Sequence, residues 1–147
     1  MYQVGDQIKL TLRLIGANRY ETSLPEVSML PELLDANEQI LGVVFGRYKH
    51  FLEGLSGHGA LIATNQRILL IDRKPMFLRY EELPYEMISG LNYSTTGPVA
   101  SVALETRAGD ITMRTWNLHS IEHFVKTISA YISSTSRNLQ ITRQPSQ

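Results

Sequence analysis

"GALIATNQRILLIDRKP", residues 59–75, contains two short apolar runs that are separated by four polar residues and closed by a proline. Apolar runs of this length between turn residues are typical of buried strands, whereas helices need longer stretches. Asn65, in the polar segment, can take the positive φ that a tight turn requires. The stretch therefore predicts a β-hairpin with strands at 59–65 and 67–73, which supplies the middle of a sheet and no site for chemistry.

The chain on both sides of this hairpin continues with short apolar runs of period two, which is the pattern of half-buried strands. Turn residues such as Gly97 and Gly109 separate these runs. The further strands are predicted at 39–46, 77–83, 86–94, 98–107 and 110–116. In the last predicted hairpin, alternation places a set of apolar residues on one face, namely Val102, Leu104, Ile111 and Met113.

An amphipathic helix is predicted after the strands, over residues 118–132, with Asn117 as its N-cap. At about 100° per residue, its apolar residues form one stripe opposite His119, His123 and Lys126. The stripe consists of Ile121, Val125, Ile128 and Ile132, flanked by Phe124 and Tyr131. Seven strands followed by such a helix predict a mainly β domain, a small antiparallel barrel or sandwich capped by the C-terminal helix.

The segment 7–15, close to the N-terminus, admits two interpretations. Apolar and polar residues alternate along it, which favours a strand. Ile8, Leu12 and Ile15 also lie on one face of a helix. The sequence therefore leaves open whether this segment is a strand or a helix.

A capping box is predicted at Ser23, because Glu26 follows it by three residues and a proline lies in the first turn. Apolar residues then recur at steps of three and four. Pro31 interrupts this pattern, so we expect one kinked helix or two short helices that end near Asn37.

Composition and periodicity divide the chain into three parts. Residues 1–36 form a partly helical N-terminal extension, and residues 37–133 form the barrel domain with its C-terminal helix. Residues 134–147 form a polar tail in which Leu139 and Ile141 alone are apolar. Because such a tail buries too little to offset its ordering entropy, we expect it to be flexible.

The composition limits the classes of partner. The chain has 147 residues, with 14 basic and 14 acidic side chains and a net charge of 0. This charge supplies no long-range attraction to nucleic acid. The sequence contains no cysteine, which excludes disulfides and thiolate chemistry. No stretch approaches the roughly 20 apolar residues that cross a bilayer, and the N-terminus lacks a signal-peptide pattern. We therefore expect a cytoplasmic protein with no nucleic-acid partner.

Three short motifs could suggest chemistry. His119 and His123 have the spacing of metal ligands on a helix, but no third ligand accompanies them. Ser56 and His58 are neighbours on a predicted loop without a following aspartate, which does not make a nucleophile–base pair. The glycine-rich stretch 54–59 precedes a strand rather than a helix and is expected to be a flexible hairpin loop. We predict no catalytic site, no metal site and no cofactor.

The stretch "RYKHF", residues 47–51, is the best candidate for a binding site. Its basic residues Arg47, Lys49 and His50 alternate with aromatic residues, and His58 follows in the same predicted loop. Basic and aromatic side chains together are suited to a phosphate or to an anionic membrane surface. These four residues are the predicted ligand-binding set.

Five stretches of the chain carry a resemblance to a known family, namely "NEQILGVVFGRY" (37–48), "GALIATNQRILLIDRKPMF" (59–77), "YEELPYEMISGL" (80–91), "AGDITMRT" (108–115) and "IEHFVKTI" (121–128). Through these stretches the sequence resembles bacterial pleckstrin-homology-like domains, which are related to the PH and GRAM domains. The resemblance implies a bent seven-stranded barrel plugged by a C-terminal helix, and a binding scaffold rather than an enzyme. The basic motif by which PH domains hold phosphoinositides is not matched, because the loop 46–59 contains Glu53 and lacks a dense basic cluster.

Three functional hypotheses follow. The preferred one is a non-catalytic binding or scaffold domain of bacterial PH-like type that acts through protein–protein contacts or self-association. The alternative is binding of an anionic lipid headgroup or phosphate at a membrane surface through the 46–59 loop. A metal-dependent enzyme that uses His119 and His123 is the third.

Overall fold

The computed structural model describes the backbone of residues 4–50 and 54–143 and the side chains of residues 5–50 and 54–132. The helices are α1 (Val4–Leu14), α2 (Arg19–Thr22), α3 (Pro25–Ser28), α4 (Leu30–Leu33) and α5 (Leu118–Arg143). The strands are β1 (Ile40–His50), β2 (Leu55–Thr64), β3 (Arg67–Lys74), β4 (Phe77–Pro84), β5 (Ile88–Thr96), β6 (Val99–Thr106) and β7 (Ile111–Thr115). A 3-10 turn, Tyr85–Met87, joins β4 to β5.

All seven strands belong to one antiparallel sheet with the order β4-β3-β2-β1-β7-β6-β5. The central strand β1 pairs with both β2 and β7, although β7 is far away in the sequence. β4 and β5 are the two edges of the sheet, since each is hydrogen-bonded to one neighbour. The predicted fold class, a seven-stranded antiparallel sheet with a C-terminal helix and an N-terminal helical segment, is confirmed.

The hairpin predicted at 59–75 is confirmed, but its turn is built differently from the expectation. No described residue other than glycine has a positive φ, so Asn65 does not take the left-handed conformation. The Thr64 hydroxyl oxygen instead accepts hydrogen bonds from the backbone N–H groups of Gln66 and Arg67, each at 3.1 Å. The Thr64 side chain thus accepts hydrogen bonds within the turn, and the turn needs no residue with a positive φ.

The inner face of the sheet encloses the main hydrophobic core, to which all seven strands contribute. α5 lies across this face, where Phe124 and Ile128 are fully buried. The alternation predicted for the last hairpin is confirmed, because Val102 pairs with Met113 and Leu104 with Ile111 and all four are buried. The helix therefore closes the core as the apolar stripe predicts.

α5 begins where it is predicted but continues past residue 132 to Arg143. The side-chain oxygen of Asn117 accepts a hydrogen bond from the Ser120 N–H at 3.2 Å, as expected of an N-cap. The helical backbone thus includes the first part of the tail 134–147. The flexibility of that tail stays a prediction.

The outer face of the sheet is covered by the N-terminal helices, which form a second core with β1, β2 and β3. α1 resolves the ambiguity at 7–15 in favour of a helix. Leu12 is fully buried in the second core, whereas Leu10 and Leu14 are 51% and 76% exposed. Two of the alternating leucines therefore face solvent, and the helical interpretation accounts for the burial.

The capping box lies at Asn18 and not at Ser23, where it is predicted. Asn18 accepts from the Glu21 N–H at 2.8 Å, and Glu21 accepts from the Asn18 N–H at 3.1 Å. The Ser23 hydroxyl donates to the Tyr20 carbonyl instead. Glu26 is not available to Ser23, because its carboxylate accepts the backbone N–H of Arg73 and so ties α3 to the sheet.

The loop expected at 54–59 is mostly strand, because β2 begins at Leu55. Glycine is required in this strand for a packing reason. A Cβ at Gly59 would lie 2.6 Å from the Ile71 carbonyl oxygen, and a Cβ at Gly57 would lie 2.9 Å from the Asp72 carboxylate. The two glycines therefore permit close approach of β2 to β3 and do not indicate a mobile loop.

Candidate functional site

The four predicted ligand-binding residues fall on two faces of the sheet. Arg47 and Lys49 on β1 point to the outer face and are exposed, as is His58 on β2. His50 points to the inner face, is 1% exposed, and lies with its Nε2 3.3 Å from Glu81 Oε1. The structure brings Arg47 and His58 together, since they are directly opposite each other, and separates His50 from them.

Tyr48, which precedes His50 by two residues on β1, belongs to a structural network. The Tyr48 hydroxyl donates to Asp72 at 2.6 Å, and the Lys74 ammonium donates to the same carboxylate at 2.5 Å. Burial, together with the hydrogen bond to Asp72, raises the pKa of Tyr48 above its ordinary value. These groups satisfy one another and are not prepared for an external ligand.

Arg47 belongs to a row of basic side chains that crosses three strands. It lies opposite His58 on β2 and opposite Arg114 on β7. Residues that are directly opposite in an antiparallel pair share a face, with Cβ atoms roughly 5 Å apart. Because neighbouring strands are about 4.8 Å apart, the row extends over about 10 Å.

This row lies in a cleft of about 820 Å³ between the N-terminal helices and the outer faces of β1, β2 and β7. We call it the basic cleft after five side chains that line it, namely Arg13, Arg47, His58, Arg114 and His119. Arg13 belongs to α1 and His119 to the first turn of α5. The fold thus collects basic residues from five separate elements around one cavity.

Basic side chains outnumber acidic ones in the basic cleft. Of the described residues that line it, Glu21 is the one acid. Glu21 is 6% exposed and accepts hydrogen bonds from the Asn18 N–H and from Asn117 Nδ2, at 3.1 and 2.7 Å. Within the described part of the chain, no acidic side chain forms an ion pair with Arg47 or Arg114. The cleft is therefore suited to an anion.

Two basic residues elsewhere in the sheet, Arg67 and Lys74, are paired with acids. Arg67 donates to Glu38 through Nε at 2.9 Å and Nη2 at 2.8 Å, and it also donates to Glu82. Burial opposes ionisation of Glu38, but the hydrogen bonds from Arg67 and Thr64 outweigh this effect and lower the pKa of Glu38. The contrast with Arg47 and Arg114 distinguishes the basic cleft from the structural ion pairs.

Two aromatic side chains lie at the rim of the basic cleft. Trp116, which follows β7, is 73% exposed, and Tyr20 of α2 is 72% exposed. Both line the cavity, together with Leu118, which is 40% exposed. Exposed aromatic rings beside arginines can contact the non-ionic part of a ligand.

The sequence interpretation missed Arg13, Arg114, Trp116 and Tyr20 as site residues. These residues are distant from "RYKHF" in the sequence, and no local pattern links them to it. The alternation along β7 predicts that Arg114 faces outward. Its position next to Arg47 follows from the pairing of β1 with β7, which the sequence order does not reveal.

The histidine pair predicted by spacing is not assembled into a metal site. His123 Nε2 lies 3.1 Å from the Leu41 carbonyl, while His119 lines the basic cleft. Among the described residues there is no group of three or more side chains that could hold a metal ion. In the same part of the chain, no helix has the length and apolar character needed to span a membrane.

Comparisons with known proteins agree with this fold. The sequence matches the family model of the bacterial PH domain over residues 34–130. Among solved structures, a DUF1696 family protein with a pleckstrin-homology domain from Shewanella loihica PV-4 is 20% identical, with a TM-score of 0.50, and the match covers 79% of this chain and 98% of that chain. The Vps36 N-terminal PH domain is 16% identical, with a TM-score of 0.53, and the match covers 69% of this chain and 84% of that chain.

No curated protein sequence matches the chain. The N-terminal helices that form one wall of the basic cleft precede the residues matched by the family model. The two solved structures share the fold of the chain at low sequence identity and carry no information on its ligand. Since the family model matches more than half of the sequence, the chain belongs to the bacterial PH domain family.

Proposed function

We propose that the chain is a non-catalytic binding module that recognises an anionic group, a phosphate or an anionic lipid headgroup, in the basic cleft. The PH-like fold supports a binding or scaffold module in general. The observation that carries the specific proposal is the row Arg47, His58 and Arg114, which lacks an acidic partner among the described residues.

The chemistry of the row suits a phosphate. A guanidinium group presents several N–H donors in a planar fork and binds phosphate or carboxylate oxygens in pairs. Arg47 and Arg114 provide two such forks on adjacent strands, and His58 adds a ring nitrogen. Hydrogen bonds between such charged partners contribute about 1.5–3 kcal/mol each.

The basic cleft is a better site than the described residues at the end of the sheet where His50 lies. At that end of the sheet, His50 is buried beside Glu81, and Lys74 is paired with Asp72. Both side chains thus already contact acidic groups of the protein. Arg47 and His58, which are part of the predicted 46–59 set, support anion binding from the outer face of the sheet instead.

Titration with inorganic phosphate and co-sedimentation with vesicles test this proposal and separate the two sources of the anion. Vesicles of phosphatidylcholine alone are compared with vesicles that also contain phosphatidylglycerol. Arg114→Glu is expected to weaken binding of whichever probe is recognised by at least about tenfold, as expected for the loss of one charged hydrogen-bonding group. Arg107→Glu, which makes the same charge change at an exposed residue outside the cleft, is expected to have little effect.

The outcome that contradicts the proposal is a wild-type protein that binds neither phosphate nor anionic vesicles at low salt. Equal losses in Arg114→Glu and Arg107→Glu also contradict it, because they reflect net charge and not the cleft. A steady loss of affinity as salt rises to about 0.2 M supports an electrostatic site.

Protein contact or self-association is the second candidate function, and the edge strand β4 favours it. Large apolar side chains are exposed on this strand and on the turn before it, with Met76 96% exposed and Phe77 48% exposed. Leu78 and Tyr80 follow, at 43% and 36%. Edge strands with exposed apolar residues are common sites of association. Light scattering should show a dimer that Leu78→Asp dissociates, and a concentrated wild-type protein that stays monomeric and binds no protein partner would eliminate this function.

A further inference from the structure

A second cavity, of about 380 Å³, lies beside the basic cleft. We call it the apolar pocket. It lies between α2 and α3 on one side and β1, β2 and the turn between β3 and β4 on the other. The two cavities share Tyr20, Glu21, Phe45, Gly46 and His58 as lining residues, so they adjoin each other along the outer face of the sheet.

The apolar pocket differs from the basic cleft in chemical character. Its lining includes the apolar side chains of Leu24, Pro25, Phe45 and Pro75. Its buried carboxylate Glu26 is already engaged, since it accepts the backbone N–H of Arg73 at 2.8 Å and lies 3.6 Å from the Lys74 ammonium. A ligand in this pocket therefore meets apolar surface without leaving a buried carboxylate unpaired.

His58 lies at the boundary between the two cavities. It is opposite Arg47 in the basic row, and it lines the apolar pocket together with Phe45. A molecule whose charged end contacts Arg47 and Arg114 can thus extend past His58 over Phe45. Both volumes are within the range of about 300–1,000 Å³ that is usual for small-molecule sites.

We propose that the ligand of the basic cleft is an amphipathic anion, with its charged head at Arg47 and Arg114 and its apolar part in the apolar pocket. This inference rests on the proposed function and specifies the ligand class. Inorganic phosphate would occupy the cleft alone and leave the apolar pocket empty. An alkyl phosphate would fill both cavities and remove apolar surface from water.

Calorimetric titration with methyl phosphate and hexyl phosphate tests the inference, because the two probes share the head and differ in the alkyl chain. Each methylene group that is buried strengthens binding by about fourfold. We expect hexyl phosphate to bind at least about 50-fold more tightly than methyl phosphate, which corresponds to partial burial of the chain.

Two substitutions in the turn between β3 and β4 localise the effect. Pro75 lines the apolar pocket, whereas Met76 is 96% exposed and does not line it. Pro75→Glu should reduce the advantage of hexyl phosphate by at least about tenfold and leave methyl phosphate nearly unchanged. Met76→Glu places the same charge one residue away and should preserve the advantage.

The experiment separates failure of this inference from failure of the proposed function. If both probes bind with equal affinity and Arg114→Glu weakens both, the anion site stands and the amphipathic ligand is refuted. If neither probe binds, both proposals fail. If hexyl phosphate binds more tightly but Pro75→Glu and Met76→Glu change its affinity equally, the alkyl chain does not lie in the apolar pocket and the inference is overturned.

Discussion

Arg47 on β1 and Arg114 on β7 lie directly opposite each other, with both side chains on the outer face of the sheet. Like charges at opposite positions of an antiparallel pair destabilise the sheet. His58, on the other side of Arg47, adds a third basic group to the row. The free domain thus contains a repulsion that a bound anion would relieve. Stability and the proposed anion binding therefore make opposite demands on these residues.

Arg114→Gln is therefore expected to stabilise the free protein. Removing one of two opposed like charges should raise the free energy of unfolding by about 0.5 kcal/mol. Urea denaturation at low salt measures the change, and high salt should diminish it. Arg107→Gln, at an exposed residue outside the cleft, is the control and should leave stability unchanged. A destabilised Arg114→Gln would mean that Arg114 makes a favourable contact in the folded protein.

Breaking the ion pair between Glu38 and Arg67 should destabilise the protein, in contrast to Arg114→Gln. The Glu38 side chain is 0% exposed and accepts two hydrogen bonds from Arg67 and one from the Thr64 hydroxyl. Arg67→Met leaves this carboxylate buried and unpaired, which should cost about 3–5 kcal/mol in the free energy of unfolding. The double substitution Arg67→Met with Glu38→Met should recover much of this loss in urea denaturation. A double variant as unstable as Arg67→Met alone would show that packing, not charge, causes the loss.

The same pair predicts a dependence of stability on pH. Hydrogen bonds from Arg67 and Thr64 outweigh the effect of burial and hold the pKa of Glu38 below its ordinary value of 4.5. Because the unfolded state then takes up the proton at higher pH than the folded state, the stabilisation is complete above the unfolded pKa and is lost as the pH falls through the folded pKa. Urea denaturation between about pH 6 and pH 3 should show a smaller loss for Glu38→Gln than for the wild type.

The fold could be predicted from the sequence because strand signals are local. The continuous apolar runs of β2 and β3 and the side-chain alternation of β6 and β7 are visible within each strand, and the apolar stripe of α5 is visible within the helix. The capping box is a harder case, because Ser23 and Glu26 satisfy the spacing while Glu26 bonds to a strand distant in sequence. Whether Glu26 forms a capping box therefore depends on its contact with β3. The local sequence pattern does not show this contact.

Part of the candidate site could be predicted from the sequence. Arg47 and His58 belong to one hairpin, so their proximity follows from sequence. The alternation of side chains also separates His50 from Arg47, since residues at odd and even positions of a strand face opposite sides. Arg114 and Arg13 could not be assigned, because their proximity to Arg47 requires the pairing of β7 with β1 and the docking of α1.

The leucines of α1 provide a test of the element that the sequence left ambiguous. Leu12 is fully buried against the outer face of the sheet, whereas Leu10 is 51% exposed. Leu12→Ala should therefore lower the free energy of unfolding by about 2–5 kcal/mol, the usual range for a buried leucine. Leu10→Ala, two residues away in the same helix, should change it by no more than about 0.5 kcal/mol. Thermal and urea denaturation of both variants give the comparison, and equal losses would contradict the docking of α1 that forms the wall of the basic cleft.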